Sequence, residues 1–99
     1  MEPRITARRC TLSTSNRSFI VDRIARLEQV YDGITDVHVV LEKESTGPQS
    51  WNAEVLANVF RRQIAGHARN ASFEIAVDDC VEQLRRQLLK HKAKLRRTV

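Results

Sequence analysis

Aromatic side chains make up only 5% of this 99-residue sequence, and glycine, proline and cysteine contribute three, two and two residues. Each shortage excludes a class of function. Three scattered glycines furnish no glycine-rich phosphate loop. A single tryptophan, Trp51, beside the Gly47-Pro48 loop, makes no aromatic platform of the kind on which RNA-recognition motifs stack bases. Cys10 and Cys80 lie far apart and in no Cys-x-x-Cys pair, which rules out a disulfide framework. Both read as small buried hydrophobes in a reducing compartment. No stretch approaches the roughly 18 apolar residues of a membrane span, and Met-Glu-Pro-Arg does not open a signal-like segment. The expectation is a cytoplasmic protein without membrane contact.

What is also missing is acid, in one place. The last 17 residues carry seven Lys or Arg and no Asp or Glu, whereas residues 1–82 are slightly acidic, with 10 basic and 12 acidic side chains. The net charge of +5 is therefore a property of the C-terminal segment. Length sets the other bound. A chain of 99 residues forms one domain, here taken as 1–99, with one core and little volume for a deep cavity. A large cofactor-binding enzyme fits that volume poorly, and no small-molecule substrate is expected.

The basic segment is helical. Apolar residues fall at Phe73, Val77, Val81, Leu84, Leu88 and Leu95, one stripe of an α-helix, with Ser72 as the expected N-cap. Glu74, Asp78, Asp79 and Glu82 occupy the early turns and the cations the late ones, the order a helix dipole favours. Away from the stripe lie Arg86, Lys90, Lys94 and Arg97, flanked by Arg85, Lys92 and Arg96. This face reads as lacking carboxylate partners, so its cations repel one another, and a polyanion would relieve the repulsion. A merely solvated face is the competing reading, and nucleic acid is preferred to it.

Upstream, Arg4 to Leu12 reads as a short strand, followed by a helix capped within Ser13-Thr14-Ser15-Asn16 and closed by Asp32-Gly33. Its apolar positions are Phe19, Ile20, Ile24, Leu27 and Tyr31. Arg26 projects from the polar face of this helix. Arg23 lies at the edge of the apolar arc, must extend its guanidinium outward past its neighbours, and fits a packing role as well as a binding role. Alternation predicts strands over Val37–Glu42, Ala53–Phe60 and about Arg62–Arg69, with a loop at Ser45–Ser50. No good turn dipeptide lies between Asn58 and Gln63. In the last strand Ile64, Gly66 and Ala68 share a face small enough for a helix to approach closely. The order β-α-β-β-β-α predicts an α+β two-layer sandwich, with two helices side by side on one face of a four-stranded sheet. Their outward faces would bring Arg23, Arg26, Arg86, Lys90 and Lys94 onto one surface suited to an RNA backbone.

No catalytic or metal constellation emerges. His38, His67 and His91 are isolated and have no ligand spacing, so all three read as structural histidines. The adjacent Asp78 and Asp79 read as dipole partners rather than an acid–base pair. No cofactor is expected.

The segment Val81-Glu82-Gln83-Leu84-Arg85-Arg86-Gln87-Leu88-Leu89-Lys90-His91-Lys92-Ala93-Lys94-Leu95 resembles the signature second helix of the short ribosome hibernation-promoting factors, the family that includes protein Y. The first helix is similar too, through Arg17, Phe19, Asp22-Arg23-Ile24-Ala25-Arg26-Leu27-Glu28 and Tyr31-Asp32, as is the strand Val37 to Glu42; the likeness covers the whole chain. It implies a non-catalytic protein that binds the small ribosomal subunit and its rRNA in the channel used by tRNA and mRNA. Translation is then blocked in starvation or stationary phase, with room for a partner factor that dimerises ribosomes. The family's RNA-contacting positions are matched by Arg23, Arg26, Arg86, Lys90, Lys94 and Lys92. Gln83 stands where many relatives carry Lys, and Arg85 is the substitute charge. The family's Gly-rich turn between the third and fourth strands is absent. Two other readings remain: a regulator that docks a protein through the open sheet face, around His38, Leu56 and His67, and a generic double-stranded-RNA binder.

Overall fold

The computed structural model describes residues 2–44 and 50–97, with side chains described up to Lys94 in the last helix. Six elements follow the expected order: β1 (Arg4–Arg8), α1 (Thr14–Val30), β2 (Asp36–Lys43), β3 (Trp51–Val59), β4 (Arg62–Asn70) and α2 (Phe73–Arg97). The sheet order is β1-β2-β3-β4; β1 runs parallel to β2 across the α1 crossover, and the other neighbours are antiparallel. The fold is the predicted two-layer sandwich. Strand β1 is shorter than expected, ending at Arg8. Arg9 follows with φ at 57°, a left-handed conformation that turns the chain off the sheet. Most of the Ser45–Ser50 loop falls outside the described residues.

Period-2 alternation sorts each strand. Val37, Val39, Leu41, Ala53, Val55, Ala57, Ile64 and Ala68 are buried toward the helices, where they meet Ile20, Ile24, Leu27, Val77, Leu84 and Leu88. Ser13 caps α1 by accepting a 3.0 Å hydrogen bond from the Asn16 N–H. Ser72 holds the equivalent place before α2, accepting from the Ile75 N–H at 3.4 Å.

Gly66 lets α2 approach the sheet as its residue type predicts. A Cβ there would lie 2.6 Å from the Cys80 carbonyl oxygen. Cys80 is fully buried, donates to the Ala53 carbonyl at 3.2 Å, and has its thiol pKa pushed up to about 12 by burial, with Asp79 and Glu54 adding to the effect. It is an inert core side chain. Cys10 differs from the expectation of burial: it is half-exposed at the core margin.

Two features were not foreseen. The β3–β4 hairpin turns on two residues, Phe60 and Arg61, with Arg61 at φ 58°, so an arginine occupies a backbone position that usually goes to glycine or asparagine. At the outer edge of β4, Gln83 accepts from the His67 N–H at 3.0 Å and donates to the His67 carbonyl at 2.8 Å. Gln87 donates to the Ala65 carbonyl at 2.7 Å. Side-chain amides of α2 thus satisfy an edge that would otherwise be open to another strand.

Candidate nucleic-acid interface

The helices lie side by side and run parallel. Phe19 meets Phe73 at a ring-centroid distance of 6.1 Å near their N-termini, Arg23 meets Asp78 farther along, and Lys92 Nζ lies 3.5 Å from the Val30 carbonyl oxygen near the C-terminus of α1. The seven expected site residues sit on this layer, in two banks set by helix geometry.

Asp78, Arg85 and Lys92 are spaced by seven, hence on one stripe of α2. Both outer members touch α1, so Arg85 also faces that flank. Arg23 does not extend to solvent as its sequence position suggests. Its Nε donates to Asp78 at 2.7 Å and a terminal nitrogen to Asp22 at 2.6 Å, while its guanidinium carbon lies 4.2 Å from the centroid of the Phe19 ring. The hydrogen bond to Asp78 raises its pKa. Arg23 is a tie between helices, with its side chain only 23% exposed. Arg26 is exposed and has Nε 3.3 Å from the same Asp22. Lys92 is half-buried, its ammonium at the α1 C-terminus, where backbone carbonyls favour a cation.

The other bank faces β4. Gln83 and Gln87 touch that strand, and Lys90 and Lys94 follow each by seven, so both lysines lie on the β4 flank. Arg86 borders a shallow groove there with His67, Arg69, Asp79 and Glu82. Lys90 and Lys94 are exposed, and neither has a carboxylate within ion-pair distance among the described residues. The side chains of Leu95, Arg96 and Arg97 fall outside the described set.

The expectation that this face lacks carboxylates is corrected at Glu82. Arg85 donates to both its oxygens, at 2.9 and 2.8 Å, and Arg86 Nε lies 3.3 Å away. Hydrogen bonding from Arg85 leads in pulling the Glu82 carboxyl down to about 2, and Glu82 in turn raises Arg85. The i−3 and i−4 spacing that predicts these pairs is present in the sequence. Gln83, read as a gap in the basic row, instead serves the β4 edge. Sequence reasoning also passed over Arg61 and Arg62, both exposed; a count of bases around the 60–62 turn would have found them.

The histidines divide. His38 Nε2 is 2.8 Å from Thr6 Oγ1, as a structural histidine should be. His67 is exposed on the open sheet face. His91 is buried edge-on against Tyr31 at 5.5 Å, a structural placement, yet its Nε2 has no partner among the described residues. Trp51 packs on Phe73 at 5.2 Å, a core-margin role. Among the described residues no three His, Cys, Asp or Glu side chains converge on a metal position, and no helix is long and apolar enough to cross a membrane.

Fold and surface together define a class: a small β-α-β-β-β-α protein with a row of exposed cations on its helix layer. The family model described as sigma 54 modulation protein / S30EA ribosomal protein matches residues 4–96, and the chain belongs to that family. It is 31% identical over 96 residues to the ribosome hibernation promoting factor of Escherichia coli K12, covering 97% of this chain and 98% of that one. With the Azotobacter vinelandii factor of the same name the identity is 28% over 94 residues, 95% of this chain and 85% of the other. Among solved structures, a ribosomal subunit interface protein from Coxiella burnetii superposes with a TM-score of 0.82 at 19% identity, over 94% of this chain and 99% of that one. The N-terminal domain of Thermus thermophilus protein Y gives 0.78 at 21%, over 92% and 99%.

Proposed function

We propose that this protein is a ribosome hibernation factor, which binds small-subunit rRNA through its helix layer in the channel used by tRNA and mRNA and blocks translation by occupying it. The observation that carries the reading is the bank of Arg86, Lys90 and Lys94, whose two lysines have no acidic partner among the described residues, on a scaffold shared with relatives named ribosome hibernation promoting factors. Cations on a rigid helix match a phosphate backbone, and counterion release supplies the affinity. Arg85 and Lys92 extend the surface toward α1; Arg23 and Arg26 reach phosphate by exchanging partners at Asp22 and Asp78. The setting is the cytoplasm, and a factor that dimerises ribosomes is the further partner the reading leaves room for.

The test is co-sedimentation with small subunits at stepped salt, for the wild type and for Arg86→Glu/Lys90→Glu. The wild type should pellet with subunits at low salt, compete with tRNA and inhibit translation. The double variant should lose binding, with the salt slope falling by roughly one per lost phosphate contact. Binding unchanged by the reversal, but lost on substitution of His38, Leu56 or His67, would instead favour docking through the sheet face. Equal affinity for naked RNA duplexes would reduce the protein to a generic duplex binder.

A further inference from the structure

We propose that the β3–β4 hairpin tip, Phe60-Arg61-Arg62, is a second RNA-contacting element, in which Phe60 stacks on an unpaired base and the two arginines hold neighbouring phosphates. The inference rests on the ribosome-binding reading above and extends its footprint beyond the helices.

The composition of the tip opposes its local structure. A two-residue hairpin is best made with Asn-Gly or Asp-Gly, but here the left-handed position holds Arg61 at φ 58° and its neighbour is Phe60, 59% exposed. Neither side chain supports the turn or the core. Backbone strain of this kind concentrates where side chains have work to do outside the fold. The Arg61 guanidinium lies over the Phe60 ring, 5.1 Å from its centroid, so a flat apolar surface and a cation are already juxtaposed.

Position supplies the second argument. Gln83 is level with His67 and Gln87 with Ala65. Four helical residues rise about 6 Å and two strand residues about 6.6 Å, so the match continues: the level of residue 91 meets Gln63, and that of Lys94 meets the tip. Arg62 alternates with Ile64 and Gly66 and therefore faces the helix layer. The tip thus continues the row Arg86, Lys90, Lys94 on the same flank. Among the described residues neither Arg61 nor Arg62 has a carboxylate within ion-pair distance. An exposed aromatic set among unpaired cations is the means by which proteins hold single-stranded nucleic acid, with stacking for the base and charge for the backbone. A purely apolar protein pocket would accept Phe60 but would leave both arginines uncompensated.

The experiment measures small-subunit affinity across a salt series for Phe60→Ala, Phe60→Leu, Phe60→Trp and the turn replacement Phe60→Asn/Arg61→Gly, with melting temperatures for each. Phe60→Ala and Phe60→Leu should both bind roughly five- to a hundredfold more weakly, and Phe60→Trp should retain binding, as stacking requires. The turn replacement should melt at or above the wild-type temperature yet bind more weakly, with the salt slope reduced by about one. Wild-type affinity in Phe60→Ala or in the turn replacement would overturn the proposal, as would full affinity in Phe60→Leu, which would indicate an apolar protein pocket. Arg86→Glu/Lys90→Glu is measured alongside. If that variant loses binding while the tip variants do not, the tip proposal falls alone; if the wild type itself fails to bind subunits, the underlying reading falls with it.

Discussion

At Gly66 one hydrogen atom decides the spacing of two layers. A methyl group there meets the Cys80 carbonyl oxygen at 2.6 Å, and that oxygen belongs to helix backbone rather than to a flexible side chain. Gly66→Ala should therefore lift α2 from the sheet and destabilise the protein by about 1–3 kcal/mol, the usual range for overpacking. Thermal denaturation should register it as about 4–8 °C per kcal/mol for a chain of this size. Glu82 is the second decisive residue. Its carboxyl is held at about 2 against an ordinary value of 4.5, so its ionised form contributes stability that is fully present above that ordinary value. The contribution is lost as pH falls through about 2. Carboxyl-carbon NMR should show the Glu82 midpoint well below the ordinary glutamate value, and Arg85→Ala should move that midpoint upward.

Helix α2 does three jobs with three stripes, and only one was plain in the sequence. The apolar stripe from Phe73 to Leu88 was legible because burial imposes a period of 3.6, and the strands were legible through their period of two. The amide stripe was not, since Gln83 and Gln87 look like any exposed polar residues until an unpaired strand edge lies beside them. The charged stripe was legible in kind but not in state: pairing at Glu82 depends on rotamers that spacing allows without dictating. The packing role open to Arg23 was legible but its partner was not, because Asp78 lies 55 positions away on another helix. At this scale Glu82→Gln is the informative change. It releases Arg85 and Arg86 and removes a negative charge, so subunit binding should tighten at low salt and the salt slope should steepen by roughly one.

At the scale of the whole molecule the Cα trace extends over 50 × 23 × 18 Å, with α2 as its longest element. Fold class and element order followed from the sequence because each element carries its own periodicity. The hairpin geometry did not, because Phe60-Arg61 makes a turn against its residue preferences and only the pairing of Val59 with Arg62 reveals it. Parallel helices place the late cations of α2 and the arginines of the β3–β4 turn toward one end, while the rest of the chain is slightly acidic. A body so divided has a preferred approach to a polyanion: its field turns it before contact, so that most encounters begin in nearly the docked orientation. Association should therefore respond to ionic strength far more than dissociation does. Stopped-flow measurements with small subunits should find the on-rate falling steeply with added salt while the off-rate changes little, the kinetic signature of a protein that is aimed before it arrives.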